Sequence, residues 1–330
     1  MASPQAAAPR PAGAPLSIDA ARYLGTDGIR RVKPEWEIIV AERAFPPHPE
    51  NPQADWLPAV VVPALKLIVE DQGGARSFAS IGTGAGVDIL TGVELLGARV
   101  VGATDVFADI TDAAEWNIRN NLGAGHPVEV HVGAGDLLAP LAGRGLSFDV
   151  IYENLPNIPL SDAASLEKRR NSSSFVPRRT EEVPQFARDW LLELHHIALV
   201  QAGDFLSRDG FVISTLGGRI PLEYLRRLAE SAGLAPSFLT YSWKVQVEGE
   251  DVLPSYAALE RKGLGPFSYY PVDALEKAFE GVSPRESGVR ALEIEGDLLP
   301  HRVTATQAWE AYREGRRVGH TVAVLKSAKV

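Results

Sequence analysis

The sequence predicts an α/β fold built on a mostly parallel sheet, on three observations. From Ser77 onward, short apolar runs alternate with longer stretches of helical period, the sequence form of strands joined by crossover helices. The first run ends in Ile81-Gly82-Thr83-Gly84-Ala85-Gly86, glycines at alternate positions that let the chain turn tightly and leave its backbone open to a ligand. The second run ends in Asp105, about 20 residues further on, where an acid can hold both hydroxyls of a ribose.

Taken in order, "SFASIG" is the first strand and "VDILTGVELLG" the helix after it. "ARVVGATD" is the second strand, leading into "ADITDAAEWNIRNNL", where Ile110, Ala114, Ile118 and Leu122 recur every four residues and make one buried face. "VEVHVG" is a third strand and "FDVIYE" a fourth. "PQFARDWLLELHHIALVQAGDFLS" reads as one long amphipathic helix, with Phe186, Trp190, Leu194, Ile197 and Ala198 on one side. Its adjacent His195 and His196 face different ways, which suits a core edge or the surface better than ligation. "GFVISTLGG" makes a fifth strand, "PLEYLRRLAESAG" a helix and "FLTYSWKVQVE" a sixth strand, and the apolar "HTVAVLK" closes the sequence as another.

Four regions follow: residues 1–16, an Ala/Pro-rich disordered tail; residues 17–70, an N-terminal extension and lid that includes "AFPPHPENPQADWLP"; residues 71–265, the core; and residues 266–330, a C-terminal extension completing the sheet and pocket. Long extensions of this kind tend to carry function when ordered.

Composition narrows the choice of function. The chain has 330 residues, 45% of them hydrophobic and 23% charged, enough to bury a full core. There is no cysteine, which excludes disulfides, thiol catalysis and cysteine-ligated zinc. No apolar run approaches the ~20 residues of a membrane span, and the opening residues do not read as a signal peptide, so a cytoplasmic location is the default expectation. A formal net charge of -9 argues against wrapping a nucleic-acid backbone. The basic clusters "EKRRNSSSFVPRR" and "YREGRR" read as solvated surface.

Glycine spacing, Asp105 and the helix N-terminus after Gly86 together predict an adenosine-type ligand. A dinucleotide fingerprint wants glycine at position 87, where this chain has Val87, so nicotinamide and flavin cofactors are disfavoured. Asp136 in "GAGDLLAPL" follows the third strand, and either caps a helix or serves the ligand. With "FDVI" next, this arrangement resembles a class I methyltransferase. The resemblance implies a Rossmann-like, mixed, mostly parallel seven-stranded sheet with helices on both faces. It implies S-adenosyl-L-methionine as cofactor, held by Gly82, Thr83, Gly84, Gly86, Asp105, Val106, Asp136 and Asn154.

The fourth strand ends in Asn154-Leu155-Pro156-Asn157. Methyltransferases of amide or exocyclic nitrogens carry Asn-Pro-Pro-Tyr there. Here Leu155 replaces the first proline and Asn157 the ring, and a short polar residue does not stack a base. From this strand to the C-terminus the chain resembles methionine S-methyltransferase, known as a plant domain and as a stand-alone bacterial enzyme of dimethylsulfoniopropionate biosynthesis. The resemblance rests on Pro156, Ile158, Gly217-Gly218-Arg219, "RRLAESAGL", Lys244, Glu260 and the terminal Ala308-Trp309, Gly315, Arg317 and His320.

That family implies methyl transfer to the thioether sulfur of L-methionine, giving S-methylmethionine. A thioether needs no proton removed, so no general base is required; alignment and charge stabilisation suffice. Asn154, Pro156 and Asn157 are the catalytic candidates, aiming polar groups at the reacting centre. Arg219 is the first candidate for the substrate carboxylate because its planar fork suits bidentate pairing. Lys244 and His320 follow, and Tyr241 and Trp243 are candidate walls for the sulfonium. The ordinary alternatives are a helix cap or surface pair for Arg219, a snorkelling Lys244, a packed His320 and a core Tyr241. No metal is expected, nor a membrane or nucleic-acid partner; homo-oligomerisation is left open. The rivals are a methyltransferase of a protein glutamine or other nitrogen acceptor, and a catalytically silent adenosine-binding module.

Overall fold

The computed structural model describes residues 10–159, 174–175, 180–247 and 249–330. The cluster "EKRRNSSSFVPRR" lies outside the described residues apart from Ser174 and Phe175. No helix among the described residues is long and apolar enough to cross a membrane. The chain forms two compact units, one of residues up to Glu153 with Gln201–Phe211, the other of Asn154–Val200 with Val212–Val330. All three breaks fall inside the core expected at 71–265.

In the first unit, β1 (Leu16–Asp19) and β2 (Glu35–Ile38) make an antiparallel pair. The main sheet holds β3 (Ser77–Ile81), β4 (Val100–Asp105), β5 (Glu129–Ala134) and β6 (Phe148–Glu153), in the order β6-β3-β4-β5 and all parallel. Every residue of β3 is buried, Ser77 and Ser80 included, so it shows no alternation of buried and exposed positions. The helices Val87–Leu96 and Ala108–Asn121 follow β3 and β4, as their sequence period requires.

Buried side chains of those two helices fasten the segment before them. Glu94 accepts the backbone N–H groups of Arg30, Arg31 and Val32 at 3.0, 2.7 and 3.1 Å. Asn117 accepts from the N–H of Ile39 and donates to its carbonyl, each at 2.8 Å. Asn121 does the same for Glu37, each at 2.9 Å. Residues 30–39 are therefore tied by backbone-directed bonds whose loss would leave buried polar groups unpaired.

The second unit contains two short strands, β7 (Ile158–Pro159) and β8 (Ser174–Phe175), paired in parallel. It also holds the C-terminal half of β9 (Leu206–Gly217), β10 (Leu234–Val245), β11 (Tyr270–Pro271) and β12 (Val318–Lys329). β12 lies between β9 and β10, antiparallel to β10, and β11 pairs with its start. The sheet is thus mixed and mostly parallel, as the sequence predicts, with seven long strands and the two-residue β11 in addition. β10 starts four residues earlier than the sequence suggests, because Leu234 pairs with Lys329.

The expected single helix over 184–207 is broken. A helix Gln185–Asp189 stops, Leu191 takes a left-handed φ of 60°, and a second helix runs Glu193–Ala202 before β9 begins. The apolar period continues through the break because Leu191 is buried with Leu253, Tyr256 and Phe267, while Trp190 packs on Tyr224 in a tilted pair with ring centroids 4.7 Å apart. That burial offsets the ~1–2 kcal/mol cost of a left-handed residue. The surface alternative for the histidines also fails: His195 and His196 are both buried. His196 Nδ1 lies 3.2 Å from Ser231 Oγ, and burial lowers its pKa.

The C-terminal extension shares a core with residues before it: Ala305, Ala308 and Ala311 of the helix Ala305–Arg313 meet Leu253, Tyr256 and Ala257 of the helix Gly249–Arg261. Small residues on the first allow close approach. Glu260 locks the pair, its Oε1 accepting from the N–H groups of Phe267 and Ala305 at 3.0 Å and its Oε2 from Thr306 N–H at 3.1 Å.

Candidate functional site

The glycine-rich turn sits at the carboxyl end of β3. Gly82, Gly84 and Gly86 have φ values of 71°, 53° and 78°, a region that costs any other residue strain. Gly82 N–H and Thr83 N–H both donate to Thr104 O, at 2.8 and 2.9 Å, which pins the turn to β4. A Cβ built on Gly84 would meet nothing within 4 Å, so that side of the turn faces open space. Gly86 is the left-handed cap of the helix Val87–Leu96 and has no side-chain cap bond, leaving the first N–H groups of the helix directed at the turn.

Asp105 is brought to the same place. Its Oδ2 accepts Gly84 N–H at 3.2 Å and its Oδ1 accepts Phe107 N–H at 3.3 Å. Partial burial raises its pKa, opposed by those two N–H groups. Each carboxylate oxygen keeps a further lone pair for a ligand hydroxyl. Gly135 N–H donates to Asp105 O at 2.9 Å, which sets the Asp136 turn beside it. Asp136 and Val106 are exposed there. The first unit thus gathers Gly82, Thr83, Gly84, Gly86, Asp105, Val106 and Asp136 at the ends of β3, β4 and β5.

Sequence reasoning missed Asp88. It lies under the turn, fully buried, accepting from Thr83 Oγ1 at 2.7 Å and from Ser80 Oγ, with Ile89 N–H on Oδ1 at 2.8 Å. Burial pushes its carboxyl up to about 6, against the pull of those donors. An acid in the first helical turn was the available signal.

The second unit centres on Arg219. Of the Gly217-Gly218 pair that precedes it, Gly218 is required by space, since a Cβ there would stand 2.1 Å from Thr321 Oγ1, while one on Gly217 would meet only the movable Arg219 Nη1, at 2.5 Å. The guanidinium therefore folds back over Gly217. Only 6% of Arg219 is exposed. Its Nη2 donates to Gln246 Oε1 at 2.8 Å, and its charge lies 5.1 Å from the ring centroid of Tyr256 and 5.6 Å from that of Tyr269. Burial opposes the charge, but Tyr269 and Tyr256 outweigh it and hold the guanidinium pKa above its ordinary value. Arg219 Nε and the Tyr269 hydroxyl are buried with no hydrogen-bond partner. Among the described residues no carboxylate pairs with Arg219.

Around it the remaining candidates divide. Asn157 is buried and accepts from Tyr256 Oη at 3.2 Å, which links the turn after β6 to this group. Asn154 is exposed and Pro156 half-buried. His320 is buried, its Nδ1 2.9 Å from Thr321 O. Burial, reinforced by Arg219, lowers its pKa well below the usual imidazole value, so it is neutral and offers hydrogen bonding rather than a cation. Lys244 pairs with His320 across β10 and β12 and shares its face. Tyr241 lies three residues before Lys244, hence on the opposite face. It is buried against Phe279 with ring centroids 5.6 Å apart. Gln246, Tyr256 and Tyr269 were not singled out in the sequence, although "SWKVQV" contains the first of them.

No protein-family model matches this chain, and no curated protein does. Among solved structures it is similar to a putative sarcosine dimethylglycine methyltransferase from Galdieria sulphuraria (12% identity, 88% of this chain and 92% of that one, TM-score 0.42). It is also similar to a ribosomal protein L11 methylase from Lactobacillus delbrueckii subsp. bulgaricus (19% identity, 58% and 72%, TM-score 0.34). A third is phosphoethanolamine N-methyltransferase 2 from Haemonchus contortus, solved with phosphomonomethylethanolamine and S-adenosylhomocysteine (11% identity, 81% and 52%, TM-score 0.35). Likenesses this distant carry no argument about ligand or reaction.

Proposed function

We propose that the chain is an S-adenosyl-L-methionine-dependent methyltransferase acting on the thioether sulfur of L-methionine, with S-methylmethionine and S-adenosylhomocysteine as products. The cofactor would be held by the first unit, whose residues fit it: Asp105 suits the ribose hydroxyls, the open face of Gly84 admits close approach, and Asp136 suits the adenine edge. Its chemistry is a sulfonium methyl primed for displacement.

The observation that carries the choice of acceptor is Arg219. Arg219 is a buried guanidinium that donates to a neutral amide, with its Nε unmatched and no carboxylate partner among the described residues; an unpaired buried charge costs several kcal/mol, roughly 3–5. A free amino acid brings a carboxylate. The faces of Tyr256 and Tyr269 exclude water from the guanidinium and strengthen its pairing with a carboxylate. Neutral His320 and Asn157 supply hydrogen-bonding atoms without adding charge. None of these groups has to take a proton, in keeping with a thioether acceptor. Residues 17–70 as a lid and 266–330 as part of the acceptor pocket belong to the same proposal, as does a role in dimethylsulfoniopropionate biosynthesis.

The test is incubation with methyl-labelled S-adenosyl-L-methionine and, separately, L-methionine, a small amine and denatured cell protein. Label in S-methylmethionine alone supports the proposal. Label in protein would favour a glutamine or other nitrogen acceptor, and cofactor binding without transfer to any of them would favour a silent binding module.

A further inference from the structure

Arg219 has a neighbour whose chemical type matters as much as its position. Gln246 is buried, at the end of β10, with its backbone N–H on Val318 O at 2.9 Å. Its side-chain amide is oriented from both ends: Nε2 donates to Val247 O, which leaves Oε1 to accept from Arg219 Nη2 at 2.8 Å. The fork of the guanidinium is thereby fixed on one side and unmatched at Nε. A glutamate has the same length and could accept the same bond. It would also neutralise the guanidinium within the protein, and no ligand anion would then be needed.

We propose that Gln246 is a positioning residue that selects for carboxylate-bearing acceptors, holding the Arg219 fork in place with a neutral oxygen so that its positive charge is left for the ligand. The inference rests on the reading of Arg219 as the acceptor's anchor, and it deepens that reading by naming the substrate class: small thioethers carrying a carboxylate, as against decarboxylated or uncharged ones. Burial makes the distinction sharp, because a charge pair formed inside the protein is screened little by solvent. Gln246 acts through Arg219 and does not touch the reacting atoms.

Two variants separate charge from packing. Gln246→Glu keeps length and acceptor but cancels the guanidinium charge, whereas Gln246→Met keeps length and neutrality but loses the acceptor. Binding of L-methionine and of methylthiopropylamine, the same thioether without its carboxylate, is measured by calorimetry alongside methyl transfer. The expected result is at least a tenfold rise in the methionine Kd and KM for Gln246→Glu, with kcat within about threefold. Methylthiopropylamine should bind that variant as well as or better than the unaltered protein, and cofactor affinity should not change. Gln246→Met should raise the methionine KM only a few-fold. Equal losses for both variants, or equal losses for both thioethers, would overturn the inference, as would a failure of the unaltered protein to bind methionine. An unaltered protein that transfers no methyl yet binds methionine, with that binding lost in Gln246→Glu alone, would overturn the methyltransferase reading and leave the role of Gln246 standing.

Discussion

Tyr256 donates its hydroxyl proton to Asn157 Oδ1 across 3.2 Å, joining the turn after β6 to the helix Gly249–Arg261 while the same ring lies 5.1 Å from the Arg219 guanidinium carbon. One side chain thus serves both polar groups of the second unit. Tyr256→Phe keeps the ring over Arg219 and leaves Asn157 Oδ1 buried without this donor. It should cost about 1–2 kcal/mol in urea unfolding and reduce kcat more than it raises the methionine KM.

Arg219→Met tests the anchor itself. Replacing a buried cation that has no carboxylate partner among the described residues with an apolar side chain of similar length should be neutral to stabilising, by up to about 4 kcal/mol. Methionine affinity should fall about a hundredfold or more, while cofactor affinity measured by calorimetry stays unchanged. A parallel loss of both affinities would count against the assignment.

The glycines before Arg219 should separate in the same way. Gly218→Ala forces a Cβ to 2.1 Å from Thr321 Oγ1 in a packed strand, which should cost about 1–3 kcal/mol of stability. Gly217→Ala meets only the movable end of Arg219, at 2.5 Å. It should change stability by less than about 1 kcal/mol and still raise the methionine KM, because the guanidinium must shift. Denaturant unfolding and steady-state kinetics on both variants check the contrast.

Asp88 gives a pH dependence with a definite sign. Its pKa rises from an ordinary 3.8 to about 6 in the fold, so the folded state binds this proton more tightly than the unfolded state. Stability is therefore lost as pH rises through that window and is flat above it. The full loss is about 3 kcal/mol. Asp88→Asn removes the titrating group, so unfolding free energies measured from about pH 4 to about pH 7 should show the variant gaining on the unaltered protein by about that amount. Parallel pH curves for the two proteins would contradict the assignment.

The parts of the fold that the sequence revealed are those whose signal is local. β3 to β6 are short runs ended by glycine or acid, and Gly82, Gly84, Gly86 and Asp105 meet at the ends of neighbouring strands. The break at Leu191 was hidden because the apolar period runs straight through it into the cluster around Tyr256. Around Arg219 the partners are distant in sequence: Asn157 and Tyr256 are 99 residues apart, Arg219 and Gln246 27. No spacing rule reaches across such intervals. Glu260, singled out by resemblance, serves the architecture by capping the helix Ala305–Arg313. Tyr241, a candidate wall for the sulfonium, is separated from Lys244 and His320 by strand alternation and packs on Phe279.

A crystal structure with L-methionine and S-adenosylhomocysteine bound tests the role of Arg219 most directly. The expected result is the methionine carboxylate about 3 Å from the Arg219 guanidinium, with Gln246 still holding Nη2. A methionine ordered elsewhere, its carboxylate met by another cation while Arg219 keeps Gln246 alone, would contradict it.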